Sequence, residues 1–104
     1  MTDDLEFIRT IVSRKLNWAI LQSLEDGPLR YSQLLHAVSQ ASPTVVYPKT
    51  MTRTLEYLQA EGLVEHRQDE DPADYRLTVA GTELVDLVNA LGRWRREHRT
   101  DGDD

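Results

Sequence analysis

The spacing of apolar residues along the chain switches between a helical period and a strand-like one, and the switches mark its elements. Between positions 5 and 24 apolar residues fall at Leu5, Ile8, Ile11, Val12, Leu16, Ala19, Ile20 and Leu24, which predicts one long or two consecutive amphipathic helices. A break is expected near Ser13, whose hydroxyl would cap the second helix. Glu25-Asp26-Gly27-Pro28 then ends it, with glycine at the left-handed position and proline beyond. A short helix opens at Tyr31 or Ser32 and runs through Leu34, Leu35 and Val38 to about residue 39. Residues 40–47, QASPTVVY, are expected to form an ordered loop with a β-rich TVVY segment.

The next stretch is the most informative. Met51, Leu55, Leu58 and Leu63 recur near the helical period while Lys49, Arg53 and Glu56 fall on the opposite side. Pro48 suits the first helical position and Gly62 suits the stop, so a helix is predicted over 48–61. Residues 63–67 and 75–79 each read as a short strand, and the polar segment 69–74, with Pro72, reads as the loop between them. Helical periodicity resumes over 81–98 with Leu84, Val85, Leu87, Val88, Leu91 and Trp94. A helix exposing a cationic stripe beside a protruding hairpin suits a DNA major groove and its flanking backbone. The pattern is α+β, mainly α: a winged helix-turn-helix with a two-stranded wing hairpin and N- and C-terminal helices for dimerisation.

Composition narrows the function. With 104 residues the chain has room for a single domain, expected over 1–99, with 100–104 a disordered acidic tail. No cysteine is present, which removes disulfides, thiol redox sensing and thiolate-bound metal. His36, His66 and His98 lie in separate elements without metal-ligand spacing, and the five glycines are isolated, so no metal site, phosphate loop or cofactor is expected. No nucleophile motif is present either, and an enzyme is not expected. The start, MTDDLEF, has neither a basic segment nor an apolar run, and no apolar stretch approaches membrane length, so a cytoplasmic protein is expected. The net charge of −6 opposes duplex binding if taken globally. Its distribution weakens the objection: Asp3, Asp4, Glu6, Asp101, Asp103 and Asp104 hold six of the 18 acids at the ends, leaving the interior neutral. Four interior acids, Asp69, Glu70, Asp71 and Asp74, sit in the predicted wing.

Several runs together resemble the HxlR-type winged helix-turn-helix transcriptional regulators: 15–24 (KLNWAILQSL), 25–34 (EDGPLRYSQL), 55–64 (LEYLQAEGLV), 75–81 (YRLTVAG) and 91–98 (LGRWRREH). The resemblance spans about 5–98 and implies a bacterial homodimer, built through its terminal helices, that sets two recognition helices on an operator. Many members carry a sensing cysteine near the N-terminus that this chain lacks. The segment SPTVVYPKTM is longer than the family's usual lead into the recognition helix, and the wing is more acidic.

Lys49 and Arg53, one turn apart, are the main candidate DNA contacts, through phosphate or a guanine edge. Thr50, Thr52 and Tyr57 flank them. Arg30, Tyr31 and Ser32 open the preceding helix, where amides and a hydroxyl suit a phosphate, although Ser32 would serve equally as a cap. Arg67 and Arg76 would flank the groove or pair with Asp69, Glu70 or Asp74 across the strands. Leu5, Ile8, Leu87, Leu91 and Trp94 are the candidate dimerisation residues. The competing class is a winged-helix module that no longer engages DNA and binds protein or a small molecule. Its support is the acidic wing, the net charge and the long loop.

Overall fold

The computed structural model describes residues 2–69 and 71–99, so Glu70 and the acidic tail at 100–104 lie outside the described residues. Five helices and one hairpin follow in the order α1 (Thr2–Ser13), α2 (Lys15–Ser23), α3 (Tyr31–Ala41), α4 (Pro48–Ala60), β1 (Val64–Arg67), β2 (Asp74–Leu77) and α5 (Val79–Glu97). The apolar stripes of these elements converge on one core. Ile11 of α1, Ile20 and Leu21 of α2, Leu34 and Val38 of α3, Met51, Leu55 and Leu58 of α4, Val64 of β1 and Val85 of α5 are all buried in it. Each such side chain contributes about 1.5–3 kcal/mol through removal from water.

The break in the N-terminal helical pattern falls at Arg14, with extended backbone (φ −86°, ψ 114°), and not on a Ser13 cap. Ser13 is still the last residue of α1, and the corner is held from the other side, by the buried Asn17 donating its side-chain amide to the Thr10 carbonyl at 3.4 Å. Further on, α3 runs two residues past the expected end, and residues 42–47 form a loop without strand structure. Ser42 orders the loop locally, donating to the Thr44 carbonyl at 2.8 Å and accepting from the Thr44 N–H at 3.2 Å.

Helix α4, the hairpin and α5 meet at one junction, and its chemistry accounts for the L-T-x-x-G run in the sequence. Gly62 ends α4 at φ +79°, a region that favours glycine. Thr78 was expected to continue the second strand, but its backbone turns there: its hydroxyl accepts from the Gly81 N–H at 3.0 Å and donates to the Gly62 carbonyl at 2.6 Å. It therefore caps α5, which starts at Val79 and not at Gly81. Gly81 packs directly on the Leu63 carbonyl, where a Cβ would overlap backbone. The Leu63 carbonyl also accepts the Thr78 N–H at 3.1 Å.

The hairpin is antiparallel in the register Val64↔Leu77, Glu65↔Arg76, His66↔Tyr75 and Arg67↔Asp74. A third chain segment joins its edge: Leu29 and Tyr75 exchange both backbone hydrogen bonds, at 3.0 and 2.8 Å. The molecule measures 52 × 31 × 23 Å. Leu5 and Ile8 of α1 and Leu87, Leu91 and Trp94 of α5 are 43–69% exposed. Among the described residues no helix is long and apolar enough to cross a membrane.

Candidate nucleic-acid interface

With Met51, Leu55 and Leu58 fixed in the core, the helical repeat sends Lys49 and Arg53 to the far side of α4. Both are exposed, and among the described residues neither forms an ion pair. Thr52 is exposed on one flank of that face and Thr50 on the other. Tyr57 differs from its expected role, since it is half-buried and packs against the core. Glu56 shares the outer side and dilutes the positive charge toward the C-terminal half.

The start of α3 lies beside the start of α4. Tyr31, half-buried, donates its hydroxyl to the Pro48 carbonyl at 3.4 Å, tying the two helix openings together. Arg30 and Ser32 on either side of it are exposed. Gln33 reaches back to this opening, its side-chain carbonyl accepting from the Arg30 N–H at 3.0 Å, while Ser32 is the second residue of α3 and stands inside the helix, past the cap position that Arg30 takes. The Leu29–Tyr75 pairing sets this opening against the hairpin. Tyr75 in turn stacks on His66, with ring centres 4.0 Å apart, and its ring lies 6.4 Å from that of Tyr31. Burial pushes the Tyr75 phenol above its ordinary range, with the Tyr31 and Glu56 groups acting in the same direction.

The wing arginines are engaged with carboxylates. Arg76 grips Asp74 with Nε at 3.0 Å and Nη2 at 2.8 Å, a two-pronged pair. That grip, opposed by partial burial and aided by the charges of Arg76, Arg67 and His66, holds the Asp74 carboxyl below its usual value of 3.8. Arg67 lies 3.2 Å from Glu65 and 3.8 Å from Asp69. Each of these carboxylates stands two positions from its arginine along the chain, and across the strands Arg67 also adds its charge to Asp74, its register partner. Asp69 and Asp71 remain exposed at the tip.

The arrangement therefore brings Arg30, Ser32, Lys49, Thr50, Thr52 and Arg53 to adjoining helix openings and one exposed helix face. Arg67 and Arg76 sit apart on the hairpin, where carboxylates offset their charge. Sequence reasoning missed Tyr47, exposed at the cap position of α4, and the Leu29–Tyr75 link, which has no periodic signature. Among the described residues no group of three His, Asp or Glu side chains is arranged to hold a metal ion.

Comparison with known proteins agrees with this architecture. A family model described as HxlR-like helix-turn-helix matches residues 11–103. A MarR-family protein of Enterococcus faecalis V583 superimposes with a TM-score of 0.76 at 21% identity, over 92% of this chain and 86% of that one. Diamide-treated YodB of B. subtilis gives 0.68 at 24% identity, over 94% and 95% of the two chains. The ytfH protein of Salmonella typhimurium gives 0.63 at 27% identity, over 89% and 80%. No curated protein matches the chain significantly.

Proposed function

We infer function from one premise: the chain belongs to the HxlR-like helix-turn-helix family, which makes it a transcriptional regulator and not an enzyme. We propose that it acts in the cytoplasm as a homodimer binding a double-stranded DNA operator, with α4 in the major groove. The observation that carries this reading is the outward face of α4, where Lys49 and Arg53 are exposed and carry no ion pair among the described residues. Arg30 and Ser32 would hold the flanking phosphates from the start of α3, with Tyr31 positioning that opening. Thr50 and Thr52 would reach phosphate or a thymine methyl. In such a dimer the exposed residues Leu5, Ile8, Leu87, Leu91 and Trp94 would form the subunit contact. Two recognition helices would then address half-sites about one DNA turn, roughly 34 Å, apart.

The exposed Asp69 and Asp71, with both wing arginines already on carboxylates, favour a second reading in which the domain binds protein or a small molecule and leaves DNA alone. Electrophoretic mobility shift at low salt, on the gene's own upstream region and on random duplex, separates the two. Non-specific affinity of DNA binders falls around 10⁻⁴–10⁻⁶ M at physiological salt and tightens as salt is lowered. Retardation is expected on both duplexes. None up to tens of micromolar protein leaves the second reading in place. Arg53→Ala should cost about 1–3 kcal/mol on the operator if Arg53 reads a base. An equal loss on every sequence would assign it to phosphate.

A further inference from the structure

The longer loop before α4 forms one wall of a half-open cavity of about 510 Å³ against α2. Its floor is a helical stripe of α2 that includes Lys15 and Trp18, and its far wall is the loop itself, with Val46 and Tyr47. Ala41, the last residue of α3, closes one side, and Thr50, in the first turn of α4, closes another. The volume lies within the range of small-molecule sites, which are mostly apolar with a few polar groups that fix orientation. Here two aromatic rings supply the apolar body, and Lys15 supplies a cation with no ion pair among the described residues. The cavity meets the flank of the outward face of α4 at Thr50, and the chain passes from its wall directly into Pro48, the first residue of that helix.

We propose that this cavity is a non-covalent effector site for a flat, apolar organic anion. The ring system lies between Trp18 and the 42–47 loop, and the anion pairs with Lys15. Occupancy fixes the loop and, through Tyr47 and Thr50, the pose of the first turn of α4. Effector and DNA are then coupled reciprocally, each changing the other's affinity by one common factor. The binding half of this proposal stands alone, and the regulatory half rests on the DNA-binding reading.

Titration calorimetry on the full chain tests the binding half, with 2-naphthoate as probe and 2-naphthamide as its uncharged counterpart. The expected result is one saturable site per protomer with a dissociation constant of about a millimolar or tighter, the range that ligand efficiency sets for so small a molecule. Lys15→Gln should weaken naphthoate by about threefold, the scale of an exposed ion pair, and leave naphthamide unchanged. Ala41→Phe, which fills the cavity from its edge, should abolish both, with its melting temperature measured to show that the fold persists. No saturable heat with native protein, or undiminished binding in folded Ala41→Phe, overturns the site, and an equal effect of Lys15→Gln on both probes overturns the assigned anion contact. Repeating the mobility shift with saturating naphthoate tests the regulatory half. A changed DNA affinity is expected, and an unchanged one overturns the coupling while the calorimetric result stands. A chain that binds naphthoate but no DNA at all refutes the operator reading, and the coupling with it, without touching the site.

Discussion

Replacing Thr78 by alanine removes one oxygen that serves two elements. As the cap of α5 the hydroxyl accepts from the Gly81 N–H, and loss of such a cap typically costs about 1 kcal/mol. As a donor to the Gly62 carbonyl it closes the end of α4, and an intramolecular bond of this kind contributes roughly 0.5–1.5 kcal/mol net. Together the expected loss is about 2 kcal/mol. Thr78→Ser keeps the oxygen and should stay within about 0.5 kcal/mol of the native chain, the usual range for a surface change. Urea unfolding followed by far-ultraviolet circular dichroism measures both. The protomer concentration must be held fixed, since any assembly adds its own stabilisation. With a slope of roughly 1–3 kcal/mol per molar urea, the alanine variant should lose between about 0.7 and 2 M in midpoint. An alanine variant indistinguishable from serine would refute the double role of the hydroxyl.

The same substitution should have opposite signs at two glycines. Gly81→Ala drives a methyl into the Leu63 backbone and should destabilise by about 1–3 kcal/mol or more, the scale of overpacking. Gly92→Ala meets only the mobile end of Arg96, whose Nη1 lies 3.3 Å away, and should stabilise α5 by about 0.5–1 kcal/mol. Thermal melts of the pair check this, and a shared sign would refute it. Replacing Leu91 and Trp94 together by polar residues should yield monomers in analytical ultracentrifugation, whereas an unchanged dimer would move the subunit contact elsewhere. Asp74 has a depressed pKa, so its contribution is present above the unfolded value near 3.8 and is lost as pH falls through the lower folded value. Asp74→Asn should therefore show a shallower decline of urea midpoint on acidification below that value, and identical acid limbs would exclude Asp74 as a source.

Much of this fold was legible because backbone chemistry is written locally. Pro48 and Gly62 mark the ends of α4 by what they lack, an N–H and a Cβ, and the helix runs Pro48–Ala60 against an expectation of 48–61. The strand end was illegible for the converse reason. Val79 beside Leu77 reads as β-branched continuation, and the turn at Thr78 is fixed in part by the Gly62 and Leu63 carbonyls, 16 and 15 residues earlier. Leu29 joins the sheet through a single residue, too short to leave a period. For the site, the helical repeat was enough to send Lys49 and Arg53 outward. It did not show that Tyr31 and Tyr57 are half-buried, since an aromatic ring on the flank of a stripe has the reach to fold back on the core. Nor did spacing alone decide which carboxylates the wing arginines hold, because that depends on side-chain rotamers.

Tyr75 is stitched to Leu29 on one edge and to β1 on the other, so the hairpin has no freedom to swing on its own. Helix openings, hairpin and α4 must travel together, as one block. If two such blocks are to fit duplexes of different twist or half-site separation, the adjustment has to come from the outer length of α5, beyond Asn89, whose side-chain amide still donates to Glu25. The last helix is then the lever of the molecule, and changes along its outer length should retune operator spacing without altering which bases are read.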